Sequence, residues 1–208
     1  MKKIIIAVNS TFNLINHRTG LINGLLDEGY EVVALSPTDE FASRLKELGC
    51  HHVSMHIERK GTNIGRDLML LWRYRRLLKQ HMPDIYLGFT IKPNIYGSLA
   101  AQSLGVPVIN NISGLGTVFG AMSTTLFGSL LSRLLRVLYW FALLRSKTIF
   151  FQNKDDQSEF IEKGVVKNHL TDLLPGSGVD LDRFTYTPIT VNQLSPKANS
   201  EKKKTRFL

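Results

Sequence analysis

"KIIIAVNSTFNLINHRTGLINGLLDEGYEVVALS", residues 3–36, reads as two β-branched runs, at 3–8 and 31–36, around a helix near residues 16–28. Two strands joined through a helix form the unit from which parallel sheets are built, because parallel neighbours need a crossover connection. Residues 9–26, which follow the first strand and enter the helix, hold no acid, although the first turn of a helix normally attracts Asp or Glu. They hold His17 and Arg18 instead. A helix N-terminus already presents unpaired N–H groups and a partial positive charge, so two added bases point to an anion brought there. The plainer alternative is an ordinary strand-to-helix turn in which Asn13 or Asn16 caps the helix.

The same rhythm continues along the chain. Residues 38–48 read as a helix, "HHVSMHI" (51–57) as a third strand, and 65–81 as a helix with Leu68, Leu71, Trp72 and Leu78 on overlapping faces, stopped by Pro83. "DIYLGF" (84–89), "VPVINN" (106–111) and "KTIFFQ" (147–152) supply three more strands, with a helix between the first two that has Pro93 near its start and Gly105 near its end. Such a series predicts an α/β fold with a doubly wound parallel sheet, whose ligands bind outside the carboxyl ends of the strands. The loops after strands one, three, four and five open on that edge. They carry Arg59, Lys60, Lys92, His17 and Arg18 with several amides and hydroxyls, and one acid, Glu58. The expected ligand is anionic and rich in hydroxyls.

Composition narrows the classes further. The 208 residues carry a formal charge of +9, but residues 197–208 hold five bases and one acid, so the body is only moderately basic. That suits phosphate ligands or an anionic membrane surface and falls short of the Lys/Arg stripe of a dedicated nucleic-acid binder. Cys50 is the single cysteine, which points to a buried filler in a reducing compartment. The apolar run of "MKKIIIAV" ends at Asn9, too short for an export signal, and a cytoplasmic location is expected. His51, His52 and His56 match no zinc spacing and read as strand-edge surface residues, so no metal site is expected. Gly114, Gly116 and Gly120 in "SGLGTVFG" fit G-x-G-x-x-x-G rather than a dinucleotide fingerprint, which argues against a nicotinamide cofactor. They are expected to let backbone N–H groups approach a ligand. Residues 126–147 are the most apolar stretch, interrupted by Arg133 and Arg136 and too short between charges to span a bilayer. With Ser129, Ser132, Arg133, Arg136 and Trp140 on one side, they read either as a core helix or as a helix lying partly in a membrane interface.

Four stretches carry a family resemblance: residues 9–32, residues 58–101, "VPVINNISGLGTVF" (106–119), and "IFFQNKDDQSEFIEKG" (149–164) leading to "LPGSGVDLDRF" (174–184). They resemble bacterial glycosyltransferase family 4, in the branch that extends lipid-linked sugars for surface polysaccharides and glycans. The resemblance implies the Rossmann-like N-terminal domain of a GT-B architecture over residues 1–184. Residues 185–208 are then a linker and the opening of a donor-binding C-terminal domain that the sequence lacks. It implies a retaining, metal-independent transfer from a nucleotide sugar to a polyprenyl diphosphate-linked acceptor, at the cytoplasmic face of an anionic membrane, with no cofactor and no nucleic acid. The implied substrate-binding set is Asn9, Asn13, His17 and Arg18 from the first loop, Asn63 from the third, Thr90 and Lys92 from the fourth, and Ser113, Gly114 and Gly116 from the fifth. His17 and Arg18 would face the acceptor's pyrophosphate or the donor's phosphates, with Lys92 and the Gly114–Gly116 backbone nearby. Many family members place a histidine after the fifth strand. Here Asn111, Ile112 and Ser113 stand there, so no catalytic residue is assigned. A non-catalytic membrane-recruiting subunit and a fragment of a nucleotide-sugar epimerase remain as alternatives.

Overall fold

The computed structural model describes residues 1–58, 63–114 and 126–178, all within the compact unit Met1–Gly178. Residues 185–208 lie outside the described part, as do Arg59, Lys60 and Gly116. Seven parallel strands run β3-β2-β1-β4-β5-β6-β7 across one sheet. They are β1 (Lys3–Ala7), β2 (Glu31–Ser36), β3 (His51–Ser54), β4 (Ile85–Phe89), β5 (Val108–Ile112), β6 (Thr148–Phe151) and β7 (Thr171–Leu173). The six strands expected are present, with β3 ending at Ser54 rather than Ile57. The seventh, three residues long, is too short to register as a pattern in the sequence.

Alternation along β1 divides the core. Ile4 and Ile6 face α1 (Thr11–His17), α2 (Thr19–Asp27) and α3 (Ala42–Glu47), whereas Ile5 and Ala7 face α4 (Ile64–His81) and α5 (Ser98–Ser103). The layer of α4 and α5 continues through α6 (Leu126–Leu143) and α7 (Lys154–Glu162), packed on Ile149 and Phe151. Helices thus cover one face across the sheet and the other beside β1–β3, while Ile85, Leu87, Ile109 and Phe150 of β4–β6 stay only partly buried on that second face. Cys50 is buried, and burial pushes its thiol up to about 11, in keeping with an inert filler.

Three expectations change. The helix placed at 16–28 begins instead at Thr11 and breaks at Arg18 into α1 and α2, so His17 occupies the last turn of the first helix and Arg18 the N-cap of the second. Asn13 and Asn16 do not cap it: the N-cap is Ser10, without a side-chain bond, and Asn16 Nδ2 donates to the Phe12 carbonyl at 2.9 Å. Leu68 and Trp72 are 61% and 58% exposed, because the buried stripe of α4 is Asp67, Leu70, Tyr74 and Leu78. Along α6, Ser132 is buried, Arg136 is half-buried, and Arg133 and Trp140 are exposed beside Leu130, Leu134 and Val137.

Between β4 and α5 the chain winds one π-helical turn, Pro93–Gly97, that presses onto the sheet. Its approach depends on two glycines. A Cβ at Gly88 would lie 2.7 Å from Asn94 Oδ1, and one at Gly97 would overlap the Tyr86 hydroxyl, which donates to the Pro93 carbonyl at 3.0 Å. Gly97→Ala is therefore expected to displace Tyr86 and cost about 1–3 kcal/mol or more. The readout is thermal unfolding, where each kcal/mol shifts the midpoint by roughly 2–4 °C. Gly24→Ala, whose added carbon meets nothing within 4 Å, is the control and should leave the midpoint no lower.

Candidate functional site

The strand order reverses direction between β1 and β4, so the loops leaving their carboxyl ends diverge and open a crevice. Asn9 follows β1 and Thr90 follows β4. Thr90 has φ +66°, a left-handed conformation that a β-branched residue rarely adopts, and its hydroxyl is buried without a partner. Across the crevice Asn13 Oδ1 is likewise buried and unpaired. Four buried side-chain polar atoms lack a partner among the described residues, and three belong to Asn13, Arg18 and Thr90. Buried polar groups are normally paired, so these three stand out as exceptions close to the switch point.

Arg18 is 7% exposed. Its guanidinium lies 4.6 Å from the centre of the Phe89 ring, one nitrogen donates to the His17 carbonyl at 3.0 Å, and Nε has no partner. None of the ion pairs among the described residues involves it. Burial holds its pKa below the ordinary arginine value, yet the group stays charged, since arginine is not deprotonated in proteins. A buried cation without a counter-ion is costly, which sets Arg18 apart from the paired bases of the described residues. The cleft it lines, about 440 Å³, also has His17 at its rim and Leu21, Leu25, Leu87, Ile109 and Phe150 as walls. No acid precedes Arg18 in α1 or follows it in the first turn of α2.

Lys92 stands elsewhere. Its ammonium is 2.7 Å from Asp67 Oδ1, both side chains are nearly enclosed, and Tyr96 donates its hydroxyl to Asp67 Oδ2 at 3.0 Å. Burial first, and the Asp67 carboxylate next, push the Tyr96 phenol up. Asp67 and Lys92 line a second cavity, about 350 Å³, with His56, Glu58, Arg66 and Arg73. Lys92 and the His17–Arg18 pair therefore do not line one cavity, contrary to the sequence expectation. Glu58 is itself bonded to Arg66. Asn63 caps α4, its Oδ1 accepting from the Arg66 N–H at 3.1 Å. Ser113 and Gly114 are exposed just past β5.

Sequence reasoning missed Asp67, Tyr96 and Phe89. Asp67 had a signal, an acid in the first turn of a helix, but one that reads as a dipole contact rather than as a partner for Lys92. Phe89 had none, because its role as a platform for Arg18 exists only once β4 lies under the break between α1 and α2. His52 bonds Ser36 at 3.1 Å on the edge strand, and among the described residues no group of three or more metal-ligating side chains occurs.

Comparison with known proteins places this geometry in context. A curated relative, the N,N'-diacetylbacillosaminyl-diphospho-undecaprenol alpha-1,3-N-acetylgalactosaminyltransferase of Campylobacter jejuni, is 22% identical over 173 residues, covering 83% of this chain and 45% of its own. Among solved structures, the UDP co-structure of S. aureus MnaA is similar with a TM-score of 0.61 at 16% identity, over 90% of this chain and 47% of that one. Anabaena HepE in complex with UDP-glucose gives 0.61 at 15%, over 90% and 47%. A glycosyltransferase from Rickettsia africae gives 0.59 at 14%, over 93% and 47%. The chain spans about half the length of the relatives it matches, and the structural likeness establishes the doubly wound, Rossmann-like sheet. Residues 16–176 match the family described as glycosyl transferase 4-like domain, and the chain belongs to that family.

Proposed function

We propose that this chain is the acceptor-binding half of a retaining glycosyltransferase that moves a sugar from a nucleotide sugar onto a lipid-linked saccharide, in polysaccharide or glycan synthesis at the cytoplasmic side of a membrane. The observation that carries the reading is Arg18, a buried cation without a carboxylate, opening onto an apolar-walled cleft in a family of sugar transferases. A polyprenyl diphosphate sugar has the matching parts, an anionic bridge with a hydrocarbon chain on one side and hydroxyls on the other. Arg18 and His17 bind the diphosphate, while Asn9, Asn13 and Thr90 at the switch-point crevice take hydroxyls. Charge held ready in a desolvated site also stabilises a departing nucleoside diphosphate without reorganisation. The apolar stripe of α6 supplies the membrane contact.

Several of the similar solved structures are UDP-N-acetylglucosamine 2-epimerases, which makes an epimerase the second reading. Epimerisation needs free acid–base groups. Here Glu58 is bonded to Arg66, and Asp67 is held by Lys92 and Tyr96, so these two acids are already engaged. That favours transfer.

Arg18→Met keeps apolar volume against Phe89 and removes the charge. It is expected to hold the thermal midpoint within a few degrees and to weaken binding of a polyprenyl diphosphate sugar at least tenfold, measured by titration into detergent-solubilised protein. Equal affinity in variant and parent overturns the phosphate role.

Transfer requires donor and acceptor in one geometry, and orientation supplies roughly 7–11 kcal/mol of such a barrier. The described chain offers a single sheet. We therefore expect no turnover from residues 1–208 alone with labelled nucleotide sugars and lipid-linked acceptor, and product once a donor-binding domain of a relative is fused to them. Turnover by the 208 residues alone refutes the half-enzyme reading.

A further inference from the structure

Ten of the sixteen large apolar side chains that stand exposed among the described residues fall on α4, on α6 or on the residue that follows α6. On α6 and the residue after it they are Leu130, Leu134, Val137, Phe141 and Leu144, spaced by three and four, with Trp140 alongside. On α4 they are Ile64, Leu68, Met69 and Trp72, in the first turns and away from the buried stripe. Both helices pack on the same side of the sheet, one on either flank of the π-helical turn and α5. Their outer faces consequently point the same way.

Charge selects what covers this surface. Residues 64–81 and 126–147 contain nine Lys and Arg and a single acid, Asp67, which is turned inward onto Lys92. A second copy of the chain docked face to face would set one group of bases against another, so self-association is disfavoured. Nucleic acid would leave the leucines and both indoles without apolar partners. An anionic bilayer satisfies both features, since basic side chains meet headgroups while apolar and aromatic ones enter the acyl boundary.

We infer that α4 and α6 together form one face that docks on an anionic phospholipid bilayer, with Ile64, Leu68, Met69 and Trp72 as a second contact beside the α6 stripe. This goes beyond a single anchoring helix and is independent of the sugar chemistry proposed above. Each helix has 18 residues and spans about 27 Å at 1.5 Å per residue. With one helix between them their axes lie roughly 16–20 Å apart. Two such contacts fix orientation, which one helix does not, because a body held along one line still rolls about it. The first turn of α4 adjoins the cavity that holds Arg66 and Lys92, so docking sets that cavity beside the headgroups, where a lipid-borne phosphate or sugar emerges.

Trp72 and Trp140 are the protein's two tryptophans, one on each helix, so each contact has its own reporter. Trp72→Phe and Trp140→Phe variants of the chain are mixed with vesicles of phosphatidylcholine, with or without phosphatidylglycerol, whose acyl chains are brominated to quench indole fluorescence. The expected result is quenching of both remaining tryptophans on anionic vesicles, loss of quenching in high salt as screening weakens the attraction, and little on neutral vesicles. Leu68→Glu and Leu134→Glu, both at exposed positions, should each lower vesicle binding at least tenfold with unchanged circular dichroism. Quenching of Trp140 alone overturns the two-helix face. Quenching of neither, equal quenching on neutral vesicles, or a concentration-dependent dimer in sedimentation that excludes vesicles overturns it as well. No substrate is present in these measurements, so their outcome is separate from that of the acceptor-binding experiment.

Discussion

Two asparagines buried between β4, β5 and the π-helical turn hold the architecture together. Asn110, with no exposed surface, donates to Asn94 Oδ1 at 2.9 Å and to Ser98 Oγ at 2.8 Å, and accepts from Ser146 Oγ at 2.7 Å. Asn94 in turn donates to the Asn111 carbonyl at 2.9 Å. These bonds tie β5 twice to the turn, once to α5 and once to the entrance of β6, so the network fixes all three against one strand. A buried amide left unpaired costs about 1–3 kcal/mol, and a network with every member satisfied favours a single arrangement over its neighbours. Gly88 and Gly97 make it sterically possible by leaving room where any side chain would collide.

The candidate site inherits its position from that clamp. Thr90 and Lys92 are the last residues before the turn, and the Asn94 N–H donates to the Thr90 carbonyl at 3.0 Å, so the left-handed Thr90 is held from one side by the turn and from the other by β4. Strain of this kind persists only where the surroundings over-determine it. Phe89, one residue earlier, is the platform under Arg18. A rigid strand end thus carries, on consecutive residues, the support for the buried cation and the orphaned hydroxyl of the crevice.

The two cavities divide the work differently from a single cationic pocket. One joins Arg18 to an apolar wall, which suits a ligand with hydrocarbon next to its charge. The other is a bonded network in which Lys92, Asp67 and Tyr96 neutralise one another, and removing one partner of such an enclosed pair costs about 3–5 kcal/mol. Lys92 acts first on the fold, by tying α4 to the loop after β4. The exposed apolar residues of α4, Ile64, Leu68 and Trp72, then share a helix with that cavity.

The sequence by itself determined the sheet, because β-branched runs separated by helical periods leave a parallel, doubly wound arrangement as the solution that buries them. It also pointed to the family, and through that resemblance it named Asn13, Arg18 and Thr90 among the expected substrate-binding residues. Tertiary structure decided what those residues meet. The burial of the Arg18 guanidinium over Phe89 exists only once β4 lies beneath the break between α1 and α2, so it was not legible in the chain. The partner of Lys92 lies 25 residues away on another helix, beyond the reach of any local pattern. The apolar face of α4 was misread for the same reason. Periodicity shows that a helix has leucines on overlapping sides, but only the position of the sheet settles which side is inside.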